Sequence, residues 1–180
     1  MDIKFMNFFA EGLAAQGYRI VRFEFPYMAT RRETGKRRPP DRQPVLLETW
    51  RAVISDIGAG RLVIGGKSMG GRMASLIADE TKVRGLLCLG YPFYGAGRKE
   101  KPRTEHLKTL TTPTLICQGT RDPMGDRAAV SPLALSPAIR VHWAEDGDHD
   151  LRPRRASGLT YDQNLTAALD AIARFLSVLG

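Results

Sequence analysis

Apolar positions along this chain follow two rhythms, one of period near four and one of near-continuous runs. Phe5, Phe9 and Leu13, with Phe8 alongside, recur at helical spacing and stop at Gly17, which predicts a helix over residues 3–16. Residues 18–25, with Tyr18, Ile20, Val21, Phe23 and Phe25, are β-branched and aromatic and predict a strand ended by Pro26. Residues 27–43 read as a basic loop around Pro39-Pro40. A helix follows, with Pro44 near its first turn, Leu46, Trp50, Val53 and Ile57 along one face, and Gly58 closing it. The run Leu62-Val63-Ile64 predicts a short buried strand, and Arg72 to about Glu80 a helix. Residues 83–89 predict another strand, leading into a long loop from Gly90 to about His106. Two further strands are predicted at 114–118 and 139–143, with a short, irregularly helical stretch over 126–136 between them. The last helix opens on Thr160-x-x-Gln163, a capping-box pattern, and carries Leu165, Leu169, Ile172, Leu176 and Leu179.

Apolar strands alternating with amphipathic helices predict a mostly parallel sheet covered on both faces. In such sheets the ligand crevice lies beyond the C-terminal ends of the strands. The 180 residues fit a single domain, with no repeat, low-complexity tract or linker. Hydrophobic content of 43% and charged content of 26% are ordinary for a globular protein. No stretch is long and apolar enough to span a bilayer, and the first residues lack the layout of a signal peptide. Cys88 and Cys117 both fall in predicted strands and read as buried free thiols of a cytoplasmic protein.

The candidate chemistry begins at Gly66-Lys67-Ser68-Met69-Gly70, which fits G-x-S-x-G between a predicted strand and a predicted helix. That context is what a nucleophile elbow requires. The glycines Gly66 and Gly70 would let the turn form where a Cβ would clash. The backbone N–H of Met69 would face the developing oxyanion. A plainer reading is a glycine-rich turn with an incidental serine. Asp122 follows the 114–118 strand and His149 follows the 139–143 strand. All three groups therefore fall at the same edge of the sheet, in the order Ser, Asp, His of the α/β-hydrolases. A serine hydroxyl needs a neighbouring imidazole to take its proton, and a carboxylate fixes the imidazole tautomer.

Alone, Asp122 reads equally as a turn initiator before Pro123, and His149 as a surface-loop histidine. Asp146, Asp148 and Asp150 crowd His149 and are expected to raise its pKa rather than serve as the acid. His142 reads as a sheet-face residue. Lys67, Tyr91 and His106 are candidate pocket-rim residues, a solvated loop histidine being the default for His106. No metal-ligand spacing, phosphate loop or dinucleotide fingerprint appears, so no cofactor is expected.

Gly65-Gly66-Lys67-Ser68-Met69-Gly70-Gly71-Arg72, Gln118-Gly119-Thr120-Arg121-Asp122-Pro123 and Asp146-Gly147-Asp148-His149-Asp150-Leu151 resemble a bacterial family of small α/β-hydrolases related to dienelactone hydrolases. Phe23-Glu24-Phe25-Pro26-Tyr27-Met28, Gly90-Tyr91-Pro92-Phe93 and Pro102-Arg103-Thr104-Glu105-His106-Leu107 resemble other segments of it. A more distant likeness is to a domain in a subunit of a eukaryotic histone-acetyltransferase complex, where the role is non-catalytic. The family resemblance implies a three-layer α/β-hydrolase fold and a triad of Ser68, Asp122 and His149, with serine where dienelactone hydrolases carry cysteine. It also implies an earlier strand ending in a His-Gly-Ala-Gly type turn, where this chain has only Met1 to Lys4. That strand would lie between residues 18–25 and the elbow strand, and its loop would give the second oxyanion donor. Three outcomes are expected of its absence: a gene start placed too late, two flanking strands that close up, or a gap filled by another chain.

The net charge of +8 is concentrated in Arg31 to Arg42, Arg98 to Arg103 and Arg152 to Arg155, each after a predicted strand end. These clusters either solvate loops or ring the mouth of the site and favour anionic substrates. No nucleic-acid motif accompanies them. Two functions follow from the sequence. The first is a serine hydrolase of small carboxylic esters or acyl compounds. The second is a non-catalytic interaction module using the basic surface.

Overall fold

The computed structural model describes residues 3–95 and 97–180. Strands β1 (Val63–Lys67), β2 (Gly85–Leu89), β5 (Thr114–Gly119) and β6 (Ile139–Ala144) form one parallel sheet in the order β1-β2-β5-β6. Alternation along each strand feeds two cores. On one face Ile64, Leu86, Cys88 and Ile116 pack against α3 (Gln43–Ile57) and α4 (Met69–Ser75) through Leu46, Trp50, Ile54 and Met73. On the other, Leu89, Leu115, Cys117 and Ala144 pack against α1 (Lys4–Ala14) and α7 (Tyr161–Leu179) through Phe5, Phe9, Leu13, Leu165 and Ile172. The result is three layers with helices on both faces. The capping box of α7 forms as expected: the Gln163 amide donates to Thr160 Oγ1, and the Thr160 amide donates to Gln163 Oε1. No helix of the described residues is long and apolar enough to cross a membrane.

Five expectations are corrected. Among the described residues, 18–25 are extended but belong to no sheet, and β1 pairs only with β2. A strand exists only by pairing, and the expectation that 18–25 and β1 close up directly is not met. Side chains hold the segment instead: Phe23 packs edge-on against Trp50 and Phe25, while Ile20 and Val21 stay exposed at 37% and 48%. Residues 26–34, expected to be loop, form α2 (Pro26–Thr34), with Pro26 in its first turn and Gly35 as a left-handed cap at φ 68°. It buries no residue fully, so no apolar stripe announces it. The helix expected to reach Glu80 breaks into α4 and α5 (Ala78–Thr81). The loop from Gly90 contains a short antiparallel ribbon, β3 (Tyr94–Gly95) with β4 (Arg98–Pro102). In α3 Leu46 and Trp50 are buried as expected, but Ile54 is the third buried residue, Val53 is half-buried and Ile57 is exposed. The irregular stretch after β5 contains one turn of helix, α6 (Arg127–Val130).

Candidate active site

Strand β1 delivers Lys67 and Ser68 to the C-terminal edge of the sheet, and α4 starts on the next residue. Between them Ser68 takes φ 52° and ψ −117°, a strained backbone for a residue with a Cβ. Close approach makes this turn tolerable. A Cβ on Gly66 would lie 3.1 Å from the backbone of Gly70 and Gly71, and one on Gly71 would lie 2.6 Å from Gly66 O. Gly70, expected to be sterically required, has nothing within 4 Å of its Cβ position, so the tight glycine on the helix side is Gly71.

The three groups expected to converge lie within hydrogen-bonding reach. His149 Nε2 is 2.9 Å from Ser68 Oγ, and His149 Nδ1 is 2.7 Å from Asp122 Oδ2. The Asp122 side chain is 0% exposed. Its Oδ1 accepts the Met124 amide at 2.8 Å, and its Oδ2 also accepts from Gln118 Nε2 at 2.9 Å. An acceptor-only carboxylate facing Nδ1 places a proton there and leaves Nε2 as an acceptor toward Ser68.

Gln118, which the sequence reading did not single out, knits the floor. Its Oε1 accepts the Tyr91 amide at 2.7 Å, and its Nε2 donates to the carbonyls of Tyr91 and Gly125. A fully buried glutamine at a strand end, followed by glycine, was the available signal. The histidine loop rests on two close approaches. A Cβ on Gly119 would lie 2.2 Å from Asp148 O, and one on Gly90 would lie 2.6 Å from His149 O.

Lys67, expected at the pocket rim, is only 16% exposed and grips this same loop. Its ammonium donates to His149 O at 2.7 Å, pairs with Asp150 Oδ1 at 2.8 Å and lies 5.1 Å from the Phe5 ring centre of α1. Burial pushes the Asp150 carboxyl up, but the Lys67 hydrogen bond and charge outweigh it and hold it low. The other acids near His149 are similarly engaged. Asp146 pairs with Arg121 and Arg154, chiefly the hydrogen bonds from Arg154 holding its pKa at about 2. Asp148 caps the amides of Asp150 and Arg152.

Tyr91 and His106 are not at a rim. Tyr91 is fully buried, and His106 Nε2 lies 2.8 Å from Ser75 Oγ, two turns along from Ser68. His142 is half-buried on β6, its pKa lowered by burial and by Arg174. Cys88 and Cys117 are free and buried; burial pushes Cys117 up to about 12. A cavity of about 490 Å³ opens between the start of α1 and α7, lined by Phe5, Phe8, Asp150, Arg152, Tyr161 and Leu165. It touches the histidine loop at Asp150 and none of Ser68, Asp122 or His149. Among the described residues no three His, Cys, Asp or Glu side chains gather to hold a metal.

Met69 is the first residue of α4, where a backbone N–H has no intrahelical acceptor and is free for an oxyanion. The second donor was expected from the segment before α1. Of Met1 to Lys4, where that expectation falls, Ile3 caps α1 and Lys4 opens it, and Met1 and Asp2 lie outside the described residues.

A parallel sheet with a strained serine at a strand-to-helix turn, and an acid and a base after the next strands across, defines an α/β-hydrolase fold. The chain belongs to the family described as the alpha/beta hydrolase domain, whose model matches residues 1–177. Among solved structures it is similar to a lidless α/β serine hydrolase of Xanthomonas campestris, with 20% identity and a TM-score of 0.71 over 98% of this chain and 74% of that one. It is also similar to an α/β serine hydrolase homologue from Coxiella burnetii (19% identity, TM-score 0.69, 97% and 76% covered). A third is the esterase domain of a Rhodothermus marinus protein (16% identity, TM-score 0.69, 99% and 82% covered). At these identities the likeness shows the fold.

Proposed function

We propose that the protein is a serine hydrolase of small carboxylic esters or related acyl compounds, working through an acyl-enzyme at Ser68. The observation that carries this reading is the unbroken hydrogen-bond chain from Asp122 through His149 to Ser68. Ser68 Oγ attacks the acyl carbon while its proton passes to His149 Nε2. The carbonyl oxygen becomes an oxyanion at the Met69 N–H. Collapse breaks the bond to the leaving alkoxide, which takes the proton from His149. Water then attacks the acyl-enzyme and gives a proton to His149, and as the acyl–Oγ bond breaks His149 returns that proton to Ser68 Oγ, releasing the acid and the free hydroxyl. Asp122 stabilises the imidazolium in both halves. In acyl-transfer enzymes each oxyanion donor contributes about 100- to 1000-fold to turnover, which is the scale of the role proposed for the Met69 N–H. The exposed cations of residues 35–42 favour anionic acyl groups. The buried free thiols fit the reducing conditions of the cytoplasm.

Hydrolysis of p-nitrophenyl acetate tests the reading. Wild type is expected to show turnover that Ser68→Ala and His149→Ala abolish. Equal rates in wild type and Ser68→Ala would sink it. The exposed basic loop at 35–42 favours a second reading, a non-catalytic module on the same fold; it predicts no turnover and a salt-sensitive partner.

A further inference from the structure

Charge beside α4 is out of balance. Arg72 lies one helical turn after Ser68, its amide donating to Ser68 O at 3.0 Å. The side chain is half-buried, and its enclosed Nε has no hydrogen-bond partner among the described residues. Burial lowers its pKa, Tyr91 raises it and the Arg103 guanidinium lowers it further. His106 is lowered by burial and by Arg72. Among the described residues no carboxylate is paired with either group, and Glu105, next to His106 in sequence, is paired with Lys108 at 2.8 Å. A partly buried guanidinium crowded by a second cation and lacking an acid is costly unless something negative completes it.

Hydrogen-bond accounting fixes what His106 offers. The Ser75 hydroxyl donates to Arg72 O at 2.7 Å, and the Tyr91 hydroxyl donates to Arg103 O at 3.0 Å. Both hydroxyl protons are committed, so His106 Nε2, 2.8 Å from Ser75 Oγ and 3.4 Å from Tyr91 Oη, carries the proton between them. Ser75 and His106 are therefore not a second nucleophile–base pair, because the hydroxyl proton points away from the imidazole. The cluster adjoins the candidate triad on two sides. Arg72 is one turn from Ser68, and Tyr91 follows Gly90, whose Cβ position lies 3.4 Å from the His149 ring.

We propose that Arg72, Arg103 and His106 form an oxyanion-binding subsite beside Ser68 that takes the phosphate or carboxylate group of an acidic ligand. The planar guanidinium fork matches both groups, and the second arginine and the imidazole supply the remaining positive field. The subsite does not depend on Ser68 being a nucleophile.

Thermal unfolding of the full chain, with inorganic phosphate and with acetate in separate arms at ionic strength matched with sodium chloride, tests this without using turnover. Wild type is expected to gain roughly 3 °C in Tm at about tenfold the dissociation constant of the preferred anion. A response to phosphate alone marks a phosphoryl ligand, and a response to acetate a carboxylate. Arg72→Met should lose the anion-dependent gain while keeping its Tm in chloride, since it removes an uncompensated charge. Arg103→Gln, at an exposed position, should weaken the response without affecting folding. If neither anion exceeds chloride for wild type, or if Arg72→Met and Arg103→Gln both respond like wild type, the subsite does not exist.

Discussion

The two flanks of Ser68 are built differently. On one flank β2, β5 and β6 continue the ladder from β1, and Asp122 and His149 stand at its end, braced by Gln118, Gly90, Gly119 and Lys67. On the other, β1 has no strand partner among the described residues, and residues 18–25 are extended without a ladder. Residues 18–25 are richer in β-branched and aromatic residues than β1, β2, β5 or β6, so composition sets the tendency and a partner decides the outcome. Among the described residues Asp122 and His149 both stand on the flank whose ladder continues.

The largest effect should come from the braced flank. Asp122→Asn keeps the shape but offers an amide to His149 Nδ1, and kcat for ester hydrolysis is expected to fall by about 10⁴-fold. A loss below tenfold would detach Asp122 from the site.

Stability should divide along the same line. Ile116→Ala, in the fully buried centre of β5, is expected to cost about 3 kcal/mol in denaturant unfolding. Val21→Ala, on the unpaired segment, should change stability by less than about 0.5 kcal/mol. Comparable losses would mean that 18–25 is as tightly built as the sheet.

Lys67→Met removes the grip on the histidine loop without touching the triad. A displacement of His149 by an ångström or so would lower kcat by up to about 100-fold. KM should change little, and Lys67→Arg should recover part of the loss. Unchanged kcat would reduce Lys67 to a surface-charge role.

A smaller effect concerns the stitching between α5 and the segment that leads into β5. Asp79 accepts the amides of Thr111 and Thr112 and the Thr112 hydroxyl. Burial pushes its pKa up, but those hydrogen bonds prevail and hold it below the usual carboxylate value. The folded pKa lies below the unfolded one, so this stabilisation is present above pH about 4 and is lost as pH falls through the folded value. Asp79→Asn should cost about 1 kcal/mol at pH 7, and its deficit should shrink below pH 4. A deficit that persists at low pH would assign the loss to shape rather than charge.

The layer order and the convergence of Ser68, Asp122 and His149 were legible because each rests on a local signal: apolar runs for β1, β2, β5 and β6, G-x-S-x-G for the turn, and Asp122 and His149 placed just past strand ends. Pairing was not legible, since residues 18–25 carry the signals of a strand and lack only a neighbour. Helix α2 was missed because Tyr27 and Met28 are its half-buried apolar contacts and no stripe forms. Lys67 and Arg72 were misjudged or passed over for one reason. Both are cations whose significance lies in long-range partners, His149 and Asp150 for one and the lack of an acid among the described residues for the other.

The central claim is that His149 activates Ser68. A fluorophosphonate reacts with an activated serine hydroxyl, and mass spectrometry of the labelled chain reads the result directly. The account predicts one adduct, on Ser68, formed quickly in wild type, slowly in Lys67→Met and absent in Ser68→Ala. Equal labelling of wild type and Ser68→Ala, or an adduct on another residue, would contradict it.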